Sequence, residues 1–216
     1  MSKTPTPPPA LTRRGAATRA RIIETAADLI HAHGAERTSL DDVMEAGGFS
    51  KSQLYHYFSD KNALVLEVIR FQTERVLAAQ DPYLATLDSL YALKRWRDAL
   101  LAINAAGGTA GCPLGSLASE VSNDFETARL DCAAGFEKWS ALLELGFARM
   151  QARGELGPSA DPHTLGIAVL SAVQGGLLLA KTARSGEPLR IALDMAIAEV
   201  ARHGTAGAAQ SAIRSS

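Results

Sequence analysis

Apolar residues recur at helical spacing in the first third of the chain. They predict a first helix over about residues 18–33, with Gly34 just beyond its end. The inward positions of this helix are Ile22, Ile23, Ala26, Leu29 and Ile30. No alternating run of β-branched residues typical of a strand is present, so the predicted fold class is all-α.

Two serines mark the starts of the next helices. Ser39 and Ser50 are expected N-caps, because Asp42 and Gln53 stand three residues later, at the second position of a capping box. The second helix is predicted to end at residues 47–48 and the third to begin at Ser50. A fourth is expected to start at Asp60 and to continue to about residue 80.

Beyond Pro82 the helical pattern becomes longer and more apolar. It predicts a helix over about residues 93–103, a short helix after Pro113 and a long amphipathic helix from Asp124 to about residue 154. Two further helices are predicted, one from Asp161 to about residue 184 and a last one over about residues 189–200. The chain is therefore expected to contain about nine helices.

Charge and cysteine content limit the chemistry. The net charge is −1, but the first positive residues precede any acidic one, which indicates a basic arm over residues 1–16 that is also rich in proline. This arm is expected to be disordered, and it either contacts phosphates or the minor groove or only solubilises the terminus. The positive residues of the arm are Lys3, Arg13 and Arg14, and the next two positive residues along the chain are Arg19 and Arg21.

No sequence pattern indicates a metal, a cofactor or a catalytic centre. Cys112 and Cys132 lack C-x-x-C spacing and a matching histidine pair, and no G-x-S-x-G elbow, P-loop, H-E-x-x-H or Rossmann fingerprint is present. The sequence shows no apolar signal-peptide core. Its most apolar stretch, residues 165–180, falls short of the ~20 residues of a membrane span. A cytoplasmic protein without a membrane partner is expected.

The third helix has the chemistry of a DNA-reading element. The major groove is wide enough for one helix and exposes a distinct donor and acceptor pattern for each base pair. Leu54 and Phe58 are expected to point inward, while Ser52, Gln53 and His56 face outward as candidate base readers, Gln53 by a bidentate contact to adenine. The candidate phosphate contacts are Tyr55, Tyr57 and Lys61.

Residues 38–64, TSLDDVMEAGGFSKSQLYHYFSDKNAL, closely resemble the DNA-binding motif of the TetR family of bacterial repressors. The resemblance implies a helix-turn-helix domain over residues 17–64, joined by its fourth helix to a larger ligand-binding and dimerisation domain over residues 81–204, with a flexible tail over 205–216. It also implies a set of DNA contacts, to which we add Ser50 at the start of the motif. This set is Ser39, Ser50, Lys51, Ser52, Gln53, Tyr55, His56, Tyr57 and Lys61.

The motif departs from the family at four positions. Met44 and Gly47 stand where alanine is usual, and Phe49 stands where valine is usual, so packing inside the motif is expected to change more than its outer face. Asp41 takes the place of a basic base-reading residue of some relatives, which argues against a base contact from the second helix.

The resemblance further implies a small-molecule effector, expected to be hydrophobic or aromatic, that releases the protein from operator DNA. Bulky apolar residues with one amide are the candidate pocket lining: core packing is the better explanation of any one aromatic residue taken singly, whereas the set as a whole favours a pocket. The candidates are Trp96, Phe125, Phe136, Trp139, Phe147, Met150 and Gln174. Residues 111–120 resemble a segment of one subgroup whose effectors include hydrophobic drugs, plant-type aromatics and electrophiles, so Cys112 is an alternative electrophile or oxidant sensor.

In the family, the last two helices form the dimer interface, and a dimer would present two reading helices to a palindromic operator. Two apolar faces are the candidate dimer surface, formed by Leu165, Val169, Ala172, Gly176 and Leu177 and by Leu189, Leu193, Ile197 and Val200. An enzyme and a helical interaction protein that does not bind DNA remain as rival readings.

Overall fold

The computed structural model describes residues 12–121 and 125–205, which form ten helices and no strand. The all-α prediction is confirmed. The chain divides into an N-terminal unit that ends at Phe71 and a C-terminal unit that begins at Gln72. The helices are α1 Arg13–His33, α2 Leu40–Gly47, α3 Lys51–Tyr57, α4 Lys61–Ala78, α5 Asp81–Leu84, α6 Leu90–Ala106, α7 Pro113–Val121, α8 Glu126–Ala152, α9 Pro162–Ala183 and α10 Glu187–Arg202.

Helix α1 begins at Arg13, five residues before the expected start. The Thr12 hydroxyl accepts a hydrogen bond from the Gly15 amide at 3.1 Å, which supplies an N-cap that the apolar pattern did not show. The prediction that the disordered arm extends to residue 16 is therefore wrong for residues 13–16. Residues 1–11 of the predicted arm and residues 206–216 of the predicted tail lie outside the described residues.

Small differences from the predicted elements occur in the C-terminal unit. The four-residue helix α5 raises the count from nine to ten, and it is too short to give a periodic signal. Helix α8 starts at Glu126, and Asp124, its predicted first residue, lies outside the described residues.

Helices α8, α9 and α10 pack together in the C-terminal unit, and glycines permit their close approach. A Cβ atom on Gly166 would lie 2.9 Å from the Ser140 carbonyl oxygen of α8, and one on Gly176 would lie 2.9 Å from the Leu189 Cα of α10. Helix α9 is longer than the predicted apolar stretch and is apolar enough to cross a membrane by length and composition, but its inward face is buried like that of a core helix.

The residues predicted to form the dimer surface lie mostly inside the chain. All but Ala172 are buried where α9 and α10 pack against their neighbours, so the apolar stripe that the sequence shows is the intramolecular face. The same two helices carry a second set of large apolar side chains that are exposed, namely Ile167, Leu178, Leu179, Ile191 and Met195.

Candidate nucleic-acid interface and ligand cleft

Two capping boxes define the helix-turn-helix. Ser39 Oγ accepts from the Asp42 amide at 3.1 Å. The Asp42 carboxylate accepts from the Ser39 hydroxyl and from the Ser39 amide, each at 2.7 Å, and these two bonds lower the Asp42 pKa. Ser50 Oγ accepts from the Gln53 amide at 3.2 Å, and Gln53 Oε1 accepts from the Ser50 amide at 2.9 Å. Both predicted boxes are confirmed. Between the helices, Gly48 ends α2 in the left-handed conformation, with φ 65°.

Two departures of the motif from the family pattern compensate each other in space. A Cβ atom on Gly47 would lie 1.9 Å from Phe49 Cε2, so the larger ring at position 49 requires the missing side chain at position 47. Arg21 holds this arrangement from α1. Its guanidinium lies 5.3 Å from the Phe49 ring centroid and donates to the Gly47 carbonyl at 3.3 Å.

Helix α3 has one buried and one exposed side. Leu54 and Phe58 are 0% and 2% exposed, and they hold the helix on the core of the N-terminal unit. Most of the remaining side chains are exposed, and Tyr57 is half-buried with its ring edge-on to His56 at 4.8 Å between centroids. The exposed side chains are Lys51, Ser52, Gln53, Tyr55 and His56.

Several candidate DNA contacts already have partners within the protein. Because Gln53 Oε1 accepts from the Ser50 amide, only the Nε2 group is available to a base edge, and the expected bidentate contact to adenine would require the capping box to open. Lys61 donates one proton to the Glu36 carbonyl at 3.0 Å and keeps two for a phosphate. Lys51 lies 5.8 Å from the Tyr55 ring centroid.

A groove of about 390 Å³ runs between the start of α1 and the exposed side of α3. Arg14 and Thr18 of α1 line it together with Ser52, Gln53 and His56. The sequence did not associate α1 with the reading helix, because this juxtaposition arises only when the helices pack. Farther along α1, Arg19 pairs with Glu67 at 2.6 Å and is not positioned as a free basic arm.

All of the predicted effector residues except Phe125 fall into two groups. The first is buried in the core of the C-terminal unit and consists of Trp96, Trp139, Phe147 and Met150. Trp96 Nε1 donates to Gln80 Oε1 at 2.9 Å, whereas Trp139 Nε1 has no hydrogen-bond partner in residues 12–121 and 125–205. Phe125 is half-buried just before α8.

The second group, Phe136 and Gln174, lies in a cleft of about 720 Å³ between the segment that leads into α7, α7 itself, α8 and α9. Cys112 lines the same cleft. Sequence reasoning missed its other principal walls, Leu178 and Lys181, because their approach to α7 depends on tertiary packing. An apolar surface and several hydrogen-bonding groups therefore face one volume of the size of a typical ligand site.

Cys112 is buried, and burial raises the pKa of its thiol. The Gly115 amide donates to Sγ at 3.3 Å and, with the nearby Gln174 amide, offsets this shift only in part. The thiol is thus protonated at neutral pH. Within the part of the chain that the structure describes, no group of three histidine, cysteine or acidic residues could hold a metal.

Comparison with known proteins agrees with this architecture. Residues 22–68 match the family described as bacterial regulatory proteins, tetR family, and residues 91–195 match the C-terminal domain of LmrA/YxaF-like transcriptional regulators. An uncharacterised HTH-type transcriptional regulator of Mycobacterium tuberculosis is 30% identical over 79% of this chain and 88% of its own length. The transcriptional regulator AcuR of Cereibacter sphaeroides is 30% identical over 72% and 73% of the two chains.

Among solved structures, the regulatory protein TetR from Rhodobacter sphaeroides has the same fold, with a TM-score of 0.77 and 23% identity over 87% of this chain and 99% of that one. The helix-turn-helix geometry, the two matching domain families and the relatives of similar length lead to one conclusion. This chain belongs to the TetR family of bacterial transcriptional regulators.

Proposed function

We propose that this regulator is a repressor that binds a palindromic operator as a dimer and is released by a small-molecule effector. The observation that carries the proposal is that α3 has one buried side and one exposed side. Its buried anchors, Leu54 and Phe58, leave hydrogen-bonding side chains exposed in a helix that the major groove can accept. This role requires neither catalysis nor a cofactor, and its place of action is the bacterial cytoplasm.

Within the helix-turn-helix domain, called the reading head below, we assign base contacts to Ser52, His56 and the Nε2 group of Gln53. We assign phosphate contacts to Lys61, Tyr55 and Tyr57. An ammonium or phenol group that binds a phosphate at the edge of the groove positions the helix but does not read the base sequence. Ser39 and Ser50 act mainly through their capping boxes, which fix the ends of α2 and α3. Lys51, beside Tyr55 at the start of α3, is a further phosphate contact.

The dimer would form through the exposed apolar side chains of α9 and α10. Family regulators typically dimerise, and apart from Leu178, which lines the cleft, the side chains of Ile167, Leu179 and Met195 are 47%, 58% and 69% exposed in the single chain. Large apolar side chains exposed together mark an interaction surface, and a second copy would cover them. Two-fold symmetry would then present two copies of α3 to half-sites about 34 Å apart.

The effector would bind in the cleft lined by Phe136 and Gln174, and it would favour a conformer whose reading heads do not match consecutive major grooves. A coupling of ~1–3 kcal/mol lowers operator affinity roughly 5- to 150-fold. Helix α4 is the proposed lever, since the boundary between the two units falls within it. Because the Cys112 thiol is buried and protonated, we favour reversible binding over thiol modification.

The proposal is tested by footprinting and fluorescence anisotropy on the DNA upstream of the gene. We expect one or more protected palindromes, and His56→Ala should lose most of the operator preference. His203→Ala, at the end of α10, is the matched control and should bind like the unmodified protein. If no upstream site is bound at low salt without effector, an enzyme or a helical interaction protein becomes the better reading.

A further inference from the structure

The cleft between α7, α8 and α9 is lined by one lysine, Lys181. Lys181 Nζ forms a hydrogen bond of 3.4 Å to Ser116 Oγ and makes no ion pair with the residues that the structure describes. Its alkyl stem is held in place over the loop before α7, where a Cβ atom on Gly111 would lie 3.0 Å from Lys181 Cδ. The ammonium is therefore directed along the wall of the cleft, and it has donors to spare.

A second donor lies in the same region. Gln174 Nε2 is buried and makes no hydrogen bond of normal geometry in the described part of the chain, although its amide lies near the Cys112 thiol. Its Oε1 packs against Gly115, at 2.8 Å from the position of an added Cβ. Lys181 and Gln174 are two turns apart on α9, but both line the cleft, and their ends lie beside neighbouring residues of α7, Ser116 and Gly115.

The remaining walls define what else a ligand must carry. Phe136 and Leu178 supply apolar surface, and a volume of about 720 Å³ accommodates a body much larger than a simple ion. Glu120 brings one negative charge to the same cleft. A single lysine opposed by a carboxylate is poorly suited to a polyanion, whereas one carboxylate can accept from an ammonium and an amide together.

We propose that this cleft binds an organic carboxylic acid in its monoanionic form, with an aromatic or aliphatic body against Phe136 and Leu178. The carboxylate accepts hydrogen bonds from Lys181 Nζ and Gln174 Nε2. This inference rests on the proposed function only for its consequence, the release of DNA. Binding itself is a property of the cleft.

The test is calorimetry of the full chain with matched pairs of probes, 2-naphthoate with 2-naphthamide and decanoate with decanamide. Each pair keeps the apolar body and removes the charge. At least one acid is expected to bind about tenfold more tightly than its amide, as one charge-assisted hydrogen bond would give at a partly exposed site. Lys181→Met keeps the stem over Gly111, and it should remove the preference for the acid, because the carboxylate loses a charge-assisted hydrogen bond and the amide loses only a weaker one.

Glu120→Gln should change acid affinity in the opposite direction to Lys181→Met. It should tighten acid binding about two- to threefold, because it removes a like charge at the edge of the site. Equal affinity of acid and amide for the unmodified protein would overturn the proposal. So would no binding of either acid up to about 1 mM, the weak end of ligand affinities, or an equal loss for acid and amide in Lys181→Met. Thermal unfolding shows whether each variant is folded, and Lys181→Gln is the second variant.

The calorimetry contains no DNA, so its result is separate from the repressor proposal. If an acid binds as expected but leaves the operator complex intact in an anisotropy assay, the carboxylate site stands and the release mechanism fails. If the chain binds no operator at all, the acid and amide comparison still decides the identity of the ligand class.

Discussion

Replacing Gly47 by alanine would place a methyl group where the Phe49 ring lies. The added carbon would be 1.9, 2.5 and 2.6 Å from three ring atoms, and the ring has little room to move, because it is 7% exposed and covered by the Arg21 guanidinium. Overpacking of this kind destabilises by ~1–3 kcal/mol. Replacing a helical glycine by alanine stabilises by ~0.5–1 kcal/mol, which offsets part of that loss. We expect Gly47→Ala to destabilise the N-terminal unit by about 1–2 kcal/mol.

The effect of Gly47→Ala on stability should change sign once the Phe49 ring is removed. In a Phe49→Val background no ring opposes the methyl group, so Gly47→Ala should stabilise by up to ~0.5–1 kcal/mol relative to Phe49→Val alone. Hydrogen exchange of amides in α2 and α3 is a suitable assay. Tryptophan fluorescence is not, because Trp96 and Trp139 both lie in the C-terminal unit.

A four-protein cycle of the two single variants, the double variant and the unmodified chain measures the coupling directly. Equal effects of Gly47→Ala in the two backgrounds would refute the argument that positions 47 and 49 compensate each other. A stabilising effect in the unmodified chain would also refute it, since the ring would then yield without cost.

Three further outcomes follow from the contacts described above. Lys61→Ala should weaken binding to all DNA sequences alike and lower the salt slope of log K by about one; anisotropy at several salt concentrations measures this, and a loss confined to one sequence would contradict the phosphate role. Because burial raises the Cys112 pKa, the thiolate fraction is small at neutral pH and grows only as pH rises past the usual cysteine range. Alkylation of Cys112 in the folded protein, followed by mass spectrometry, should therefore be slow at pH 7. Rapid labelling at that pH would contradict the burial of the thiol. Gly166→Ala would force a carbon to 2.9 Å from the Ser140 carbonyl oxygen and should destabilise the C-terminal unit by about 1–3 kcal/mol in chemical denaturation, whereas an unchanged midpoint would show that α8 and α9 can separate freely.

The parts of this fold that could be predicted from the sequence are set by local interactions. Ser39 with Asp42 and Ser50 with Gln53 form their capping boxes within four residues, so residue types and spacing suffice. Most buried positions of α1 and α3 also follow from helical periodicity, but Leu29, a predicted inward position, is half-buried, and Ala27 is buried instead. The missed cap at Thr12 was also local, but it lies before the apolar pattern begins.

The parts that could not be predicted depend on which helices meet. Periodicity shows that α9 and α10 each have an apolar face, but it does not distinguish a face packed within the chain from one that meets a second copy. Trp96 and Trp139 look like pocket residues by type and are core residues by position. Lys181 was missed because its relation to Ser116, 65 residues away, exists only after α7 and α9 pack.

The central claim is that the exposed side of α3 reads the operator, and Gln53 tests it most directly. Gln53 both caps α3 and offers Nε2 to a base edge, so its variant needs a control that removes the same capping box from the other end. Ser50→Ala provides that control. Operator affinity should be measured by anisotropy for the unmodified protein and both variants, on a set of operators that changes one base pair at a time.

We predict that Gln53→Ala loses ~1–3 kcal/mol of discrimination at one base pair of each half-site, whereas Ser50→Ala weakens all operators by a similar factor. Identical profiles for the two variants, or an unchanged base preference in both, would contradict the assignment of α3 as the reading helix.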